Sequence, residues 1–272
     1  MRIKYRYGFN NNESDIADFI IKQNIKHDKG AIITVFELLD DDEHFEIALK
    51  FLENHGIKPT ISEAVFSQKE MDEAQWLSIR STWRHDYPQP KDRGYIFSTY
   101  DATDYCDECK KGLKQKESFV IKKEPNWGPR NFLMINLVHD ELFISSQAES
   151  VLRNSSLSGF SIYDVLNKSG NKLERIKQIY VNSYLGNGLS NKSVCQEFVC
   201  SKCDYKKYIL KPDFIYYKKE VFANVYEDII KSNEKFGEIG CDSKIFITQK
   251  FYKIIKTNKL DRGLVFEPVK LI

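Results

Sequence analysis

The chain has no run of about 18 apolar residues, the length that would mark a membrane-spanning helix. Its opening stretch, "MRIKYRYGFNNNESD", alternates polar and apolar residues and lacks the apolar core of a signal peptide. An excess of one charge is missing too. Lys and Arg number 41 against 39 Asp and Glu over 272 residues, and a balance of +2 gives the chain as a whole no strong pull toward nucleic acid or an anionic membrane. A cytoplasmic protein is expected, with no membrane partner.

Catalytic signatures are also scarce. There is no G-x-x-x-x-G-K-[ST] and no H-E-x-x-H. "GNGLSNKS" supplies Gly186 and Gly188 but lacks the strand-turn-helix setting of a phosphate cradle, so it reads as a loop. His85 and Asp86 are neighbours on an extended or turning chain, where adjacent side chains point apart, and no nucleophile accompanies them. No catalytic residue is assigned, and a non-enzymatic protein is expected. What is present, 42% hydrophobic and 29% charged residues, suits a globular chain with a sizeable core in one large or two ordinary domains.

Six cysteines in a reducing compartment are poor candidates for stable disulfides. Four of them form Cys-x-x-Cys pairs, in "YCDECKKGLKQ" and "FVCSKCDYKKY", and 90 residues separate Cys109 from Cys200. Each such turn aims two sulfurs at one centre, and two turns complete the tetrahedron that zinc favours. Cys106, Cys109, Cys200 and Cys203 are therefore the candidate ligands of a structural Zn2+, with no open position for water. Redox chemistry at one pair is the rival, although it expects a strand before the thiols and a helix after, whereas "CKKGLKQKESFVIKK" reads as a turn and a strand. Ordinary thiols are the third reading. Lys110, Lys111, Lys202, Lys206 and Lys207 crowd the turns, either offsetting the charge of a zinc tetrathiolate or forming a solvated face.

Hydrophobic periodicity places strands at "RIKYRYGF", "AIITVFELL" and "KPTISEAVFS", and helices at "SDIADFIIKQN", "DEHFEIALKFLENHG" and "QKEMDEAQWLSIRSTW", the last opened by a Ser67–Glu70 capping box. The expected fold class is α+β (mixed α/β): an amino-terminal β-α-β-α-β-α unit, residues 1–90, followed by a zinc-ribbon-containing domain, residues 91–272. Pro88, Pro90 and Gly94 mark the boundary.

Residues 141–165 and 244–269 resemble each other. Leu142, Phe143 and Ile144 align with Ile245, Phe246 and Ile247, Val151 and Leu152 with Ile254 and Ile255, and, after one inserted residue, Gly159 with Gly263. Each copy predicts a strand, a helix capped by Ser145 or Thr248, a Gly turn and a second strand. Between the first thiol pair and the first copy, Trp127 and Arg130 stand in a Pro- and Gly-shaped loop as candidate anchors for a partner, although a Trp in such a place more often covers the domain's own core.

The double Cys-x-x-Cys layout, the short helix, the Gly turn and the final "GLVFEPV" resemble the bacterial double-CxxCG motif proteins, a group regarded as immunity proteins of contact-delivered toxins. The likeness covers about residues 100–272. In that pattern Gly directly follows the second cysteine; here Lys110 and Asp204 stand there, and Gly112 comes two places late. The resemblance implies a protein partner, specifically a toxin, and brings no catalytic residue. The alternative is a zinc-ribbon nucleic-acid-binding protein, since segment 205–219 interleaves Tyr205, Tyr208, Tyr216 and Tyr217 with Lys206, Lys207, Lys218 and Lys219.

Overall fold

The alternation in the opening residues is realised as strand β1 (Arg2–Asn10), with Tyr7 and Phe9 buried, in a computed structural model that describes all residues from Met1 to Ile272. Helix α1 (Ser14–Lys22) follows, then β2 (His27–Lys29), β3 (Ile33–Leu39), α2 (Phe45–Asn54), β4 (Ile61–Val65) and the short α3 (Gln68–Glu73). Both α1 and α2 lie where the 3.6-residue spacing puts them. Ile16 and Ile20 of one helix and Phe45, Ala48 and Leu52 of the other share a core with Tyr7, Phe9, Phe36 and Leu38. The sheet runs β2-β3-β1-β4 with every neighbour antiparallel.

This corrects the expected β-α-β-α-β-α unit. The sheet is antiparallel, β2 is an added edge strand, and the last predicted helix ends at Glu73. Its Ser67–Glu70 capping box does form, with the Glu70 N–H donating to Ser67 Oγ at 3.2 Å and the Ser67 N–H to Glu70 Oε2 at 2.8 Å. The residues beyond it become strand β5 (Trp76–Ser81). Trp76 and Leu77 are buried on opposite faces of that strand, and a short run apolar on both sides carries no periodicity that separates strand from helix.

The chain divides into two compact units, Met1–Glu70 with Pro212–Phe214, and Met71–Lys211 with Ile215–Ile272. The division precedes the Pro-rich break near residue 90 because β5 is a central strand of the second unit's larger sheet.

After β5 the second unit continues through β6 (Arg84–His85), α4 (Gly94–Thr99) and the short pair β7 (Tyr100–Asp101) and β8 (Lys114–Gln115). The first repeat copy lies within β9 (Phe132–Ile135), β10 (Val138–Ile144), α5 (Ser146–Arg153), β11 (Phe160–Leu166) and β12 (Lys172–Val181). Hairpin β13 (Val194–Val199) and β14 (Lys206–Leu210) leads to β15 (Ile215–Tyr217), β16 (Ile229–Phe236), β17 (Asp242–Thr248), α6 (Gln249–Thr257) and β18 (Leu264–Leu271). Five strands form a sheet in the order β11-β12-β10-β9-β6, and seven curl into a half-barrel in the order β13-β14-β16-β17-β5-β18-β15. Strand exceeds helix, 38% against 20% of the chain, so the fold is mostly β and not the mixed α/β class expected. No helix is long and apolar enough to cross a membrane.

Both repeat copies fold as strand, helix, strand. Ser145 accepts from the Ala148 N–H and Thr248 from the Phe251 N–H, each capping its helix. Leu142 and Ile144 of one copy and Ile245 and Ile247 of the other enter a common core with Leu152 of α5 and Phe251 and Ile255 of α6. The middle residues turn the other way, Phe143 into a core beneath α4 and Phe246 into one with Trp76 and Tyr217. In each copy the two strands flank a third that is antiparallel to both. That place is filled by β12 in the first copy and by β5 in the second.

Candidate metal centre

The first thiol pair sits on the connection between β7 and β8, the second on the turn joining β13 to β14. The turns share one hydrogen-bond plan. The Lys110 N–H donates to the Cys106 carbonyl at 2.8 Å and the Asp204 N–H to the Cys200 carbonyl at 3.0 Å. The Cys106 N–H donates to the Lys111 carbonyl at 2.8 Å and the Cys200 N–H to the Tyr205 carbonyl at 2.9 Å. Lys110 and Asp204, each directly after the second cysteine of its pair, both adopt a left-handed backbone. Gly112 meets a separate demand, since a Cβ there would lie 1.9 Å from the Asp104 carbonyl oxygen.

These turns bring the four sulfurs within 4.8 Å of one another. Cys106 Sγ lies 3.8 Å from Cys200 Sγ, and Cys109 Sγ lies 3.5 Å from Cys203 Sγ. Four sulfurs at roughly 2.3 Å from a tetrahedral zinc are about 3.8 Å apart, so the cluster fits such an ion, and it is far too open for a disulfide of about 2.05 Å. Cys106, Cys109 and Cys200 are buried with Tyr205 packed against them, while Cys203 is exposed. The Cys109 N–H draws the Cys106 thiol down to about 7, whereas burial pushes Cys109 up to about 12. A bound dication would supply the charge that four converging thiolates require.

Contacts beside the sulfurs join the same two turns. Glu108 accepts from the Ser201 N–H at 3.2 Å and from its hydroxyl at 2.9 Å, and Lys202 pairs with Asp107 at 2.6 Å. The neighbouring lysines are largely committed. Lys110 donates to the Asp107 carbonyl, Lys206 pairs with Glu197, and Lys111 lies 4.1 Å from the Tyr205 ring centre. Lys207 is buried, donating to the carbonyls of Glu238 and Gly240 at 2.7 and 2.8 Å. Tyr217 is buried as well, so segment 205–219 does not expose its alternating residues as one basic and aromatic face.

The other sequence candidates lie elsewhere. Trp127 is half-buried, edge-on to Trp83 at 5.2 Å, and donates its indole N–H to the Arg175 carbonyl at 2.7 Å. Arg130 is exposed, with its guanidinium 5.4 Å from the Trp83 ring centre. His85 Nε2 pairs with the Lys123 carbonyl, and Asp86 accepts the Lys122 N–H. The loop at Gly186 to Ser193 turns the Gly188 and Leu189 amides onto the buried Glu234 carboxylate at 2.6 and 2.9 Å. Both amides are thereby used within the chain and are closed to a phosphate.

Sequence reasoning missed a buried charge cluster. Lys231 of β16 meets Glu141 of β10, whose other oxygen accepts from Gln178 at 3.1 Å, and Lys235 lies 3.8 Å from Asp140. Burial opposes ionisation of Asp140, but Lys231 and Lys235 outweigh it and hold that carboxyl below its ordinary value. At Glu141 burial prevails over Lys231, and the carboxyl is raised. Charged residues amid the apolar letters of two strands were the available signal, but their pairing depends on how the sheets meet. Against known proteins, no family model and no curated protein matches the chain.

Proposed function

We propose that the chain is a zinc-stabilised protein-binding module, and that it neutralises a toxin by stoichiometric binding. The observation that carries this reading is the convergence of four sulfurs from two separate hairpins at tetrahedral spacing. Cys106, Cys109, Cys200 and Cys203 would hold Zn2+ and fill its coordination shell, so the metal would crosslink the hairpins and offer no position to water. Binding is further supported by the inward commitment of the polar groups, Glu141 to Lys231 and Gln178, and Glu234 to backbone amides and Tyr217. The choice of a toxin as partner rests on the double-CxxCG resemblance, which gains from the matching left-handed positions at Lys110 and Asp204. Nucleic acid is the weaker reading because Lys207 and Tyr217 are buried.

The test has two parts. Elemental analysis of the purified chain should find one zinc per molecule, and its absence would count against the metal assignment. Co-expression with the bacterial toxin captured on the chain should restore growth and give a one-to-one complex. A salt-dependent shift of nucleic acid without any protein partner would favour the alternative.

A further inference from the structure

Three of the four cluster thiols are buried, and Cys203 alone is exposed. A small oxidant reaching this centre meets Cys203 first. The nearby sulfur on the opposite hairpin is Cys109, 3.5 Å away, while the remaining pair, Cys106 and Cys200, also spans the hairpins at 3.8 Å. Both distances therefore join one turn to the other.

We propose that Cys109 and Cys203 form an oxidative substitute for the metal: a hydroperoxide releases the ion and leaves the two hairpins joined by a disulfide. The proposal rests on the zinc reading above. The Cys203 thiolate attacks one peroxide oxygen, the O–O bond breaks, and the departing hydroxide or alkoxide takes a proton from water, leaving a sulfenic acid on Cys203. The Cys109 thiolate then attacks the Cys203 sulfur, an S–S bond forms, and hydroxide leaves and takes a second proton. Two thiolates lose two electrons and the hydroperoxide gains them. With two of its four donors consumed, the site no longer retains the ion.

Closing the bond requires the sulfurs to contract from 3.5 Å to about 2.05 Å. The turns remain aligned meanwhile, because Glu108 holds Ser201 and Lys202 holds Asp107 across the same junction. Oxidation thus exchanges one crosslink for another. The oxidised, metal-free chain keeps the junction that a reduced, metal-free chain loses.

The zinc-loaded full chain treated with hydrogen peroxide tests this, with released zinc followed by a colorimetric chelator and disulfides mapped by mass spectrometry without reduction. The expected result is a first disulfide between Cys109 and Cys203, release of the zinc with it, and greater protease resistance than in reduced chain stripped by a chelator. Cys195→Ser, which removes an exposed thiol outside the cluster, should change none of these. A first disulfide within one turn or through Cys195, or zinc retained after peroxide, would overturn the proposal. A chain that carries no zinc before treatment would overturn the metal reading itself, and the mapped pairing would still decide the disulfide.

Discussion

Lys110 and Asp204 hold the same backbone position in the two cysteine turns, each one residue past the second cysteine, with φ of 69° and 54°. An L side chain in that region costs about 1–2 kcal/mol relative to glycine, offset in part by glycine's greater freedom in the unfolded chain. Lys110→Gly and Asp204→Gly should therefore each stabilise the metal-loaded chain by about 0.5–1 kcal/mol in urea unfolding. Gly112→Ala should do the reverse and loosen metal binding, since its Cβ would strike the Asp104 carbonyl.

Metal removal should act on one unit. The site closes a loop of 90 residues between Cys109 and Cys200, and without the ion that closure must be held by surface contacts such as Lys202 with Asp107. Chelation under reducing conditions, or Cys106→Ser or Cys200→Ser, should expose the connection around residues 102–113 and the turn at 200–205 to proteases. The unit of Met1–Glu70 with Pro212–Phe214 has its own core around Tyr7, Phe36 and Leu52, and should persist. Simultaneous loss of both units would refute this separation.

The features legible in the sequence were local ones. Ile16 and Ile20 at helical spacing, the hydroxyl caps Ser145 and Thr248, and the paired thiols all signal through neighbours a few residues away, and each is found in place. The residues Trp76 to Ser81 misled because they are apolar toward two cores. Nor does any local signal say that β12, which follows the first copy, and β5, which precedes the second, fill equivalent places between strands. The thiol site was readable because Cys-x-x-Cys fixes its own geometry. Trp127 read either as a partner anchor or as cover for the domain's own core; it packs against the core, in a direction set by Trp83 and Arg175, far away in sequence.

The pair Lys231 and Glu141 should show the energetics of a buried charge cluster, since its side chains are only 3% and 6% exposed. Lys231→Met leaves the buried Glu141 with Gln178 but without its cation and should cost about 3–5 kcal/mol in chemical unfolding. Adding Glu141→Gln, which keeps a partner for Gln178 and removes the charge, should recover most of that loss. A double variant no more stable than Lys231→Met alone would show that the lysine stem, and not its charge, matters at this junction.

Of the two proposed anchors, Arg130 is exposed and Trp127 is held within the chain. Trp127 packs edge-on to Trp83 and bonds the Arg175 carbonyl, so Trp127→Ala should destabilise the second unit by about 2–3 kcal/mol, less than the roughly 3–5 for a fully buried tryptophan. Any effect on binding of the proposed toxin should disappear once binding is expressed per folded molecule. Arg130 is exposed, and its placement over Trp83 is worth only about 0.5–1 kcal/mol, so Arg130→Ala should leave the melting temperature nearly unchanged. If Arg130 anchors the toxin, that substitution weakens the complex at least tenfold, about 1.4 kcal/mol in titration calorimetry. Affinity unaltered by Arg130→Ala would remove this loop from the binding surface while leaving the metal assignment intact.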